Sequence, residues 1–264
     1  MGTIISFVNN KGGVGKTTVA FNVGAGIIES GKKVLFIDLD PQASLTYWAL
    51  PANAIPEYTV SEVFSEFFSD ESGEKKTLER SIVIMGVNSS ISPASTKLEA
   101  VQNNFAIRHT TPIALREILQ PIRDNYDYII LDCPPSMTPL LTHGALIASD
   151  YTVVVTKPSY LDMKGIVNLY NAIRYDQKFY PGSANMLGIV LNQFDQRKNE
   201  AKEAEAQLIS FFGEKMFNTK IGLYASLSEA PSHHKSIFEY DNKSKASKQF
   251  ESLVGEVLER VQKE

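Results

Sequence analysis

The sequence predicts an α/β protein with a doubly wound, mostly parallel sheet flanked by helices. Short runs rich in β-branched and aliphatic residues alternate with segments of helical apolar spacing along most of the chain. A glycine-rich segment joins the first of these runs to the first helix, and two later runs end in aspartate. At 264 residues the chain is long enough for one large α/β domain, and we predict a single domain over residues 1–264.

The first strand and the segment after it predict a phosphate-binding loop. The strand is T-I-I-S-F-V at 3–8, and helical apolar spacing resumes over 19–28 before Ser30-Gly31. Glycines let backbone N–H groups turn inward, and the N-terminus of a helix adds its dipole to hold an anion. In such a loop the lysine, here Lys16, reaches the β- and γ-phosphates, and the hydroxyl of Thr17 ligates Mg²⁺.

The loop departs from the usual pattern G-x-x-x-x-G-K-[ST] in an informative way. Asn10 stands where the first glycine of that pattern is expected, and a second lysine, Lys11, precedes the glycines. The flanking strand and helix supply the context that a phosphate loop needs. Phosphate binding is therefore a better interpretation than a flexible turn without chemistry.

Acidic residues at the ends of two further strands predict the metal side of the same site. The run 33–42 places Asp38 and Asp40 at the end of V-L-F-I, and the run 126–136 places Asp132 after I-I-L. Open parallel sheets bind ligands at the carboxyl ends of their strands, so we expect these carboxylates beside the loop. An aspartate in the position of Asp132 usually holds Mg²⁺ through a water. The Pro-Pro pair that follows is expected to stiffen a loop near the γ-phosphate.

The remaining segments are assigned by their apolar spacing. Helices are expected to begin at Thr59, with Glu62 completing a capping box, and around 98–101. Further helices are expected over 113–122, 161–175, 200–212 and 245–262. Strands are expected over 81–87, 151–158 and 186–194. The polar stretch 69–76 is expected to be a surface loop.

Composition narrows the functional classes. The formal net charge of −4 argues against a globally basic nucleic-acid binder, although it leaves room for a local basic patch. The single cysteine, Cys133, excludes an internal disulfide framework and is typical of a reducing cytoplasm. The N-terminus has no signal sequence, and no apolar run approaches the roughly 20 residues needed to span a bilayer. We therefore expect a cytoplasmic protein.

Three segments together resemble the deviant-Walker-A ATPases of the ParA/MinD group, and among them the ParA-type partition proteins best. They are K-G-G-V-G-K-T-T at 11–18, D-L-D-P-Q-A-S-L-T at 38–46 and I-I-L-D-C-P-P-S at 129–136. The pieces S-P-A-S at 92–95 and L-S-E-A-P-S at 227–232 are similar to ParA specifically. The resemblance implies a P-loop ATPase that binds ATP and Mg²⁺ and forms a sandwich homodimer on ATP binding. It also implies nonspecific DNA binding, nucleoid association in the ATP-bound state, and slow hydrolysis that a ParB-like or other adaptor stimulates during segregation of plasmid or chromosomal DNA.

The resemblance assigns roles by position. Lys11 matches the signature lysine that reaches across the dimer to the partner's nucleotide, and Asp40 matches the carboxylate that positions the attacking water. With Lys16 these two form the expected catalytic set. The expected nucleotide-binding set is Lys11, Gly12, Gly13, Val14, Gly15, Lys16, Thr17, Thr18, Asn192, Gly222 and Tyr224. The expected metal set is Thr17, Asp38 and Asp132, with the two carboxylates acting through water.

One stretch departs from the family pattern. In many ParA relatives basic residues contact DNA where this chain has Leu223 and Ser226, and other side chains touch adenine where it has Gly222 and Tyr224. The Tyr224 ring can stack on the base instead. Basic residues elsewhere in the last third are therefore the expected DNA-binding set, namely Arg197, Lys198, Lys220, Lys235, Lys243 and Lys245.

The sequence leaves one alternative to DNA partition open and disfavours others. The same ATPase cycle can position a protein cargo, such as a microcompartment or a chemoreceptor cluster, and the sequence does not separate the two because the choice lies with the partner. A MinD-like membrane ATPase is disfavoured because the polar face of the last helix carries Glu251, Glu256 and Glu259, which anionic lipid repels. We expect that helix to pack on the core, with no membrane partner. An iron–sulfur reductase needs more cysteines than Cys133, and Lys11 argues against a small-substrate kinase.

Overall fold

The computed structural model describes residues 1–69, 76–106 and 111–263, without the side chains of 160–162. Seven strands in this described part form one sheet in the order β3-β4-β2-β5-β1-β6-β7. They are Thr3–Val8 (β1), Val34–Asp38 (β2), Val83–Gly86 (β3), Ser89–Ser92 (β4), Tyr128–Asp132 (β5), Tyr151–Thr156 (β6) and Asn185–Leu191 (β7). Neighbouring strands are parallel except in the β3–β4 pair. The mostly parallel sheet confirms the predicted fold class.

The described helices connect and cover these strands. The α-helices are Lys16–Glu29 (α1), Ser44–Ala49 (α2), Val60–Ser69 (α3), Lys97–Phe105 (α4), Ala114–Leu119 (α5), Gly144–Ala148 (α6), Tyr160–Phe179 (α7), Asn199–Phe212 (α8), Ala225–Glu229 (α9), Ile237–Tyr240 (α10) and Lys245–Lys263 (α11). Short 3₁₀ helices cover Ala52–Ala54, Glu79–Ser81, Thr111–Ile113, Arg123–Asn125, Gly213–Lys215 and Ala230–His233, and a π-helical turn covers Pro139–His143.

The hydrophobic core lies on both faces of the sheet. Along β1 the buried side chains alternate: Ile4 and Val8 belong to one cluster, whereas Ile5 and Phe7 belong to the other. Successive residues of a strand point to opposite faces, so each cluster marks a face covered by helices. A strand buried on both faces explains why β1 is almost continuously apolar.

The last helix packs on the core, as predicted. In α11, Phe250, Leu253 and Val257 are fully buried, and Leu258 and Val261 pack against the same cluster. Its apolar stripe is therefore covered by the protein itself. In the described part of the chain, none of the helices combines the length and apolar character needed to cross a bilayer.

Three predicted elements end earlier than expected, two of them close to a proline. The helix predicted over 113–122 is restricted to α5, because Pro121 cannot continue a helix and restrains the residue before it. The strand predicted over 151–158 ends at Thr156, two residues before Pro158. The strand predicted to reach residue 194 ends at Leu191, since Gln193 adopts a left-handed φ of 55°.

Other features of the chain were not predicted. The strand expected over 81–87 is the first half of an antiparallel hairpin, and its partner β4 has the sequence S-S-I-S, which lacks the apolar alternation of a strand. Short helix α2 and the helical segment 139–148 were also missed. Most of the loop expected over 69–76 lies outside the described residues.

Candidate functional site

The topology brings the loop and the acidic strand ends to one edge of the sheet. Strand β5 lies between β1 and β2, and Asp132 is in register with Phe7 on one side and with Asp38 on the other. Because all three strands are parallel, the segments that follow them leave the sheet at the same edge. The loop after β1 therefore lies beside both carboxylates.

Two glycines and one asparagine shape the loop. Gly13 and Gly15 have φ values of 71° and 86°, a left-handed conformation that glycine adopts without strain. A Cβ atom on Gly15 would lie 2.1 Å from Nδ2 of Asn192. That buried amide donates a hydrogen bond of 2.8 Å to the carbonyl oxygen of Val14. The predicted residues Val14, Gly15 and Asn192 thus fit against one another at the start of α1.

Lys16 is a buried cation at the first position of α1. Only 6% of its surface is exposed, and its Nζ donates to the carbonyl oxygen of Lys11 at 3.3 Å. Burial lowers the pKa of the Lys16 amine, an effect that the nearby carboxylates of Asp132 and Asp40 oppose. A desolvated ammonium group gains strongly from an anion, so this position suits a phosphate group.

Asp38 is fully buried and held by three hydrogen bonds. Its Oδ2 accepts from the backbone N–H and the hydroxyl of Thr46, both at 2.8 Å, and its Oδ1 accepts from the N–H of Asp40 at 3.0 Å. Burial raises the pKa of the Asp38 carboxyl to about 6, although these hydrogen bonds oppose the rise. The side chain is therefore fixed in place before any ligand binds.

Asp132 completes a pair of buried carboxylates. Its Oδ2 accepts a hydrogen bond of 2.6 Å from the hydroxyl of Thr17, while its buried Oδ1 has no hydrogen-bond partner among the described residues. Burial raises the pKa of Asp132 well above its usual range, and the neighbouring Asp38 raises it further. A buried oxygen without a partner beside a second carboxylate indicates that a cation or an ordered water belongs here.

The donor set fits Mg²⁺. Thr17, Asp38 and Asp132 offer only oxygen atoms, which are the ligands that this ion prefers. Within residues 1–69, 76–106 and 111–263, no group of three His, Cys, Asp or Glu side chains is arranged to hold a metal by itself. Mg²⁺ usually keeps several waters and is held through one or two carboxylates together with phosphates of its ligand.

Asp40 lies at the rim of this pair. The residue is half-buried, and its Oδ1 accepts a hydrogen bond of 2.9 Å from the N–H of Gln42. In the described part of the chain its Oδ2 has no hydrogen bond to another group. One carboxylate oxygen is thus anchored while the other remains available to a water molecule.

The buried carboxyl of Asp38 predicts a pH-dependent stability. Its pKa rises from 3.8 to about 6 on folding, so between these values the folded protein binds the proton more tightly than the unfolded chain. Stability contributed by the protonated group is therefore lost as the pH rises from about 4 to about 6, and the change amounts to about 3 kcal/mol. The test is denaturant unfolding of the nucleotide-free parent and of Asp38→Asn between about pH 4 and about pH 6. The free energy of unfolding of the parent should fall relative to that of the variant as the pH rises. Parallel pH profiles would contradict the prediction.

A cavity of about 520 Å³ brings together the expected adenine contacts and some of the expected DNA contacts. It is lined by Phe194, Asp195, Gln196, Arg197, Lys220, Gly222, Leu223, Tyr224, Lys245 and Gln249. The Tyr224 side chain lies over Gly222, where a Cβ atom would come within 2.8 Å of two ring carbons and the hydroxyl oxygen. The Gly222 N–H donates to Oε1 of Gln249 at 2.9 Å. A side chain at position 222 would therefore meet Tyr224 unless the tyrosine moved.

The structure brings three of the six expected DNA-binding residues together. Arg197, Lys220 and Lys245 line the cavity, and Lys198 is exposed next to Arg197 in the chain. Lys235 and Lys243 are exposed but lie outside its lining.

Two cations of the cavity already have acidic partners. Arg197 makes two bonds of 2.9 Å to Asp195, and this pairing lowers the pKa of Asp195 to about 2. Lys220 pairs with Glu205 and lies 4.8 Å from the centre of the Phe194 ring. A DNA phosphate would have to compete with these two carboxylates.

Sequence reasoning missed three residues that support the site. Thr46 stands at the end of the D-L-D-P-Q-A-S-L-T segment, so a signal for it was present although its contact with Asp38 was not inferred. Asn9 is a polar residue that directly follows a strand, and it is 4% exposed. Gln249 lies 27 positions from Gly222, and no local pattern predicts that contact.

Comparison with known proteins places the chain in a family. A family model described as an AAA domain matches residues 2–182, more than half of the chain. Sporulation initiation inhibitor protein Soj of Bacillus subtilis is 34% identical over 257 residues, which cover 97% of this chain and 98% of the relative. Chromosome-partitioning ATPase Soj of Treponema pallidum is 32% identical over 260 residues, which cover 98% of each chain.

A solved structure shares the fold. McdA from Cyanothece, in a complex with ATP, superposes with a TM-score of 0.82 at 20% identity, covering 98% of this chain and 96% of that chain. Together with the Soj relatives, which match almost the full length, the family model confirms what the motifs at 11–18, 38–46 and 129–136 predict. The chain belongs to the family of ParA-type ATPases.

Proposed function

We propose that this chain is a partition ATPase that binds ATP with Mg²⁺, dimerises in that state, and then binds DNA without sequence preference. The observation that carries the proposal is the Thr17–Asp132 pair, with an unpartnered buried oxygen, beside a preformed glycine loop and the buried Lys16. The name of the Treponema pallidum relative, a chromosome-partitioning ATPase, together with its identity and coverage, supports a role in DNA partition.

The loop and Lys16 account for nucleotide binding. Backbone N–H groups of Gly12 to Thr18 and the N-terminus of α1 would hold the phosphates, with the Lys16 ammonium leaving the Lys11 carbonyl for them. Thr17 would ligate Mg²⁺, and Asp38 and Asp132 would hold its waters. When bound, the ion neutralises charge on the phosphates.

Hydrolysis requires a positioned water. Asp40 is anchored through one oxygen by Gln42, and its other oxygen would orient the attacking water. Phosphoryl transfer depends mostly on positioning and on charge stabilisation, so a site that lacks a fully assembled cation set is slow. Lys11, supplied across a dimer, would add the missing charge, which couples turnover to dimerisation and to an adaptor that stimulates it.

DNA binding would use the cavity that Arg197, Lys220 and Lys245 line. Because the chain as a whole carries a net charge of −4, binding must come from such a local set. Arg197 and Lys220 would exchange Asp195 and Glu205 for phosphates, whereas Lys245 would add its charge directly. The protein would act in the cytoplasm, on nucleoid DNA when ATP is bound, with a ParB-like adaptor and without a membrane partner.

Binding to nonspecific duplex DNA tests this proposal. Fluorescence anisotropy is measured without nucleotide, with ADP, and with ATP plus Mg²⁺, each over a salt series. We expect binding only with ATP and Mg²⁺. Six cations per dimer predict a slope of log K against log salt of about −5.

Two exposed lysines supply a matched control. Lys245→Ala removes a cation that lines the cavity, and we expect the salt slope to become less steep by about 2. Lys243→Ala, outside the lining, should change it little. No binding in any nucleotide state, with ATP-driven dimerisation intact, would reject the DNA part of the proposal and favour positioning of a protein cargo.

A further inference from the structure

Asn9 is a buried polar residue between β1 and the loop, and it joins two segments of backbone. Its Nδ2 donates a hydrogen bond of 2.6 Å to the carbonyl oxygen of Val155 in β6. Its Oδ1 accepts one of 2.9 Å from the N–H of Lys11. With only 4% of its surface exposed, the side chain forms both bonds away from water. It therefore ties the start of the loop to the neighbouring strand.

The backbone of Lys11 is held from both of its polar groups. Its N–H is bound by Asn9, and its carbonyl oxygen accepts from Lys16 Nζ at 3.3 Å. In the proposed function the Lys16 ammonium is redirected to phosphates, so the second of these bonds is exchanged on ATP binding. The bond from the Lys11 N–H to Asn9 does not involve Lys16, so this exchange would leave it in place.

Asn10, which follows Asn9, packs against the helix that comes after β6. A Cβ atom at Gly165 of α7 would lie only 2.9 Å from Oδ1 of Asn10. Helix α7 directly follows β6 in the chain, with three residues between them. The base of the loop thus rests on the β6–α7 unit through two adjacent asparagines, whereas the phosphate-facing part is supported separately by Asn192.

We propose that Asn9 is a positioning residue for Lys11, and that it sets the direction in which this lysine is presented to the nucleotide of a second copy. The inference rests on the proposed function, in which Lys11 acts across a dimer. It assigns to Asn9 an effect on ATP-dependent dimerisation that is separate from nucleotide binding by the monomer. The two effects are separate because different residues support the two parts of the loop. Asn9 holds the backbone before the glycines, whereas Asn192 packs against Gly15.

A double-mutant cycle tests the assignment. The dimer Kd with ATP and Mg²⁺ is measured by analytical ultracentrifugation for the parent, Asn9→Ala, Lys11→Ala and the double variant, and ATP binding is measured at concentrations where the protein is monomeric. We expect Asn9→Ala to weaken dimerisation about 10-fold, because the Lys11 backbone, released from Asn9, must be ordered when the dimer forms. ATP binding by the monomer should change less than about 3-fold. Because Asn9 acts through Lys11, the double variant should dimerise no worse than Lys11→Ala.

Asn22 provides the matched control. It is also a buried asparagine that bridges two backbone segments, with bonds of 2.7 Å from the Ile237 N–H and 2.8 Å to the Thr18 carbonyl oxygen. Asn22→Ala should lower the Tm without changing the dimer Kd of the folded protein. If Asn9→Ala does not fold, Asn9→Ser is compared in the same way.

The possible outcomes separate this inference from the proposed function. Dimerisation of Lys11→Ala at the parent affinity would remove the cross-subunit role of Lys11, and the role of Asn9 with it. A defective Lys11→Ala beside a normal Asn9→Ala would overturn the inference alone. Equal losses of ATP binding and dimerisation in Asn9→Ala, or additive effects in the double variant, would also overturn it.

Discussion

Lys16→Ala is expected to lower the affinity for ATP with Mg²⁺ by at least about 100-fold. The Lys16 ammonium is buried at the first turn of α1 and lies in a loop whose geometry is already set. Its charge-assisted hydrogen bonds to phosphates would form with little reorganisation and away from bulk water. Removing one partner of such a buried pair costs about 3–5 kcal/mol, which corresponds to a loss of affinity of at least about 100-fold. Isothermal titration calorimetry with ATP and Mg²⁺ measures the loss directly.

The control for this variant is a lysine on the surface. Lys32→Ala removes an exposed cation of the same type, and it should leave ATP affinity unchanged. Thermal unfolding separates a lost ligand contact from a lost fold: ATP with Mg²⁺ should raise the Tm of the parent and of Lys32→Ala, but not that of folded Lys16→Ala. Affinity within about 3-fold of the parent would mean that the phosphates are held elsewhere on the chain.

The elements that build this site could be predicted because their signals are local. Strands β1, β2 and β5 are short apolar runs buried on both faces, and each ends directly at a loop or an aspartate. Parallel strands place such ends on one edge, so the meeting of the loop with Asp38 and Asp132 follows from the pattern of the chain.

The supporting contacts could not be predicted in the same way, because they join distant segments. The bond of Asn9 to Val155 spans 146 positions, and that of Asn192 to Val14 spans 178. Periodicity carries no information about such pairs. Strand β4 was missed for a different reason: Ser90 and Ser92 are buried beside β2, where tertiary packing overrides their low apolar character.

The basic residues show that the sequence does not indicate which exposed cations share a surface. All six were expected to serve DNA binding, yet only Arg197, Lys220 and Lys245 line the same cavity. An exposed lysine has no local pattern that indicates which surface it joins, so this grouping depends on the fold. The ion pairs that Asp195 and Glu205 form with two of these cations were likewise not predicted. They determine how much positive charge the cavity offers.

Asp40→Ala is expected to stop turnover while leaving ATP binding intact, so that the ATP-bound dimer accumulates. The Asp40 carboxylate lies at the rim and takes no part in the Thr17–Asp132 pair, and its Oδ1 is occupied by the Gln42 N–H. The substitution therefore removes the other oxygen, Oδ2, which would orient the attacking water. Positioned acid–base groups contribute about 100- to 10,000-fold to rate, so hydrolysis should fall by at least about 100-fold. Phosphate release gives the rate, and sedimentation with ATP and Mg²⁺ gives the dimer fraction.

Two neighbouring substitutions make the Asp40 result specific. Asp40→Asn keeps an acceptor for the Gln42 N–H and removes the charge, so an equal loss of rate would assign the effect to the carboxylate and not to the turn it holds. Asp38→Ala should instead weaken binding of ATP with Mg²⁺. It removes the acceptor of the Thr46 hydrogen bonds and a buried carboxylate beside the expected metal site. Hydrolysis by Asp40→Ala at the parent rate would show that another group holds the water. Loss of ATP binding in that variant would instead place Asp40 in the binding site, and the slow, dimer-gated cycle would then need a different catalytic carboxylate.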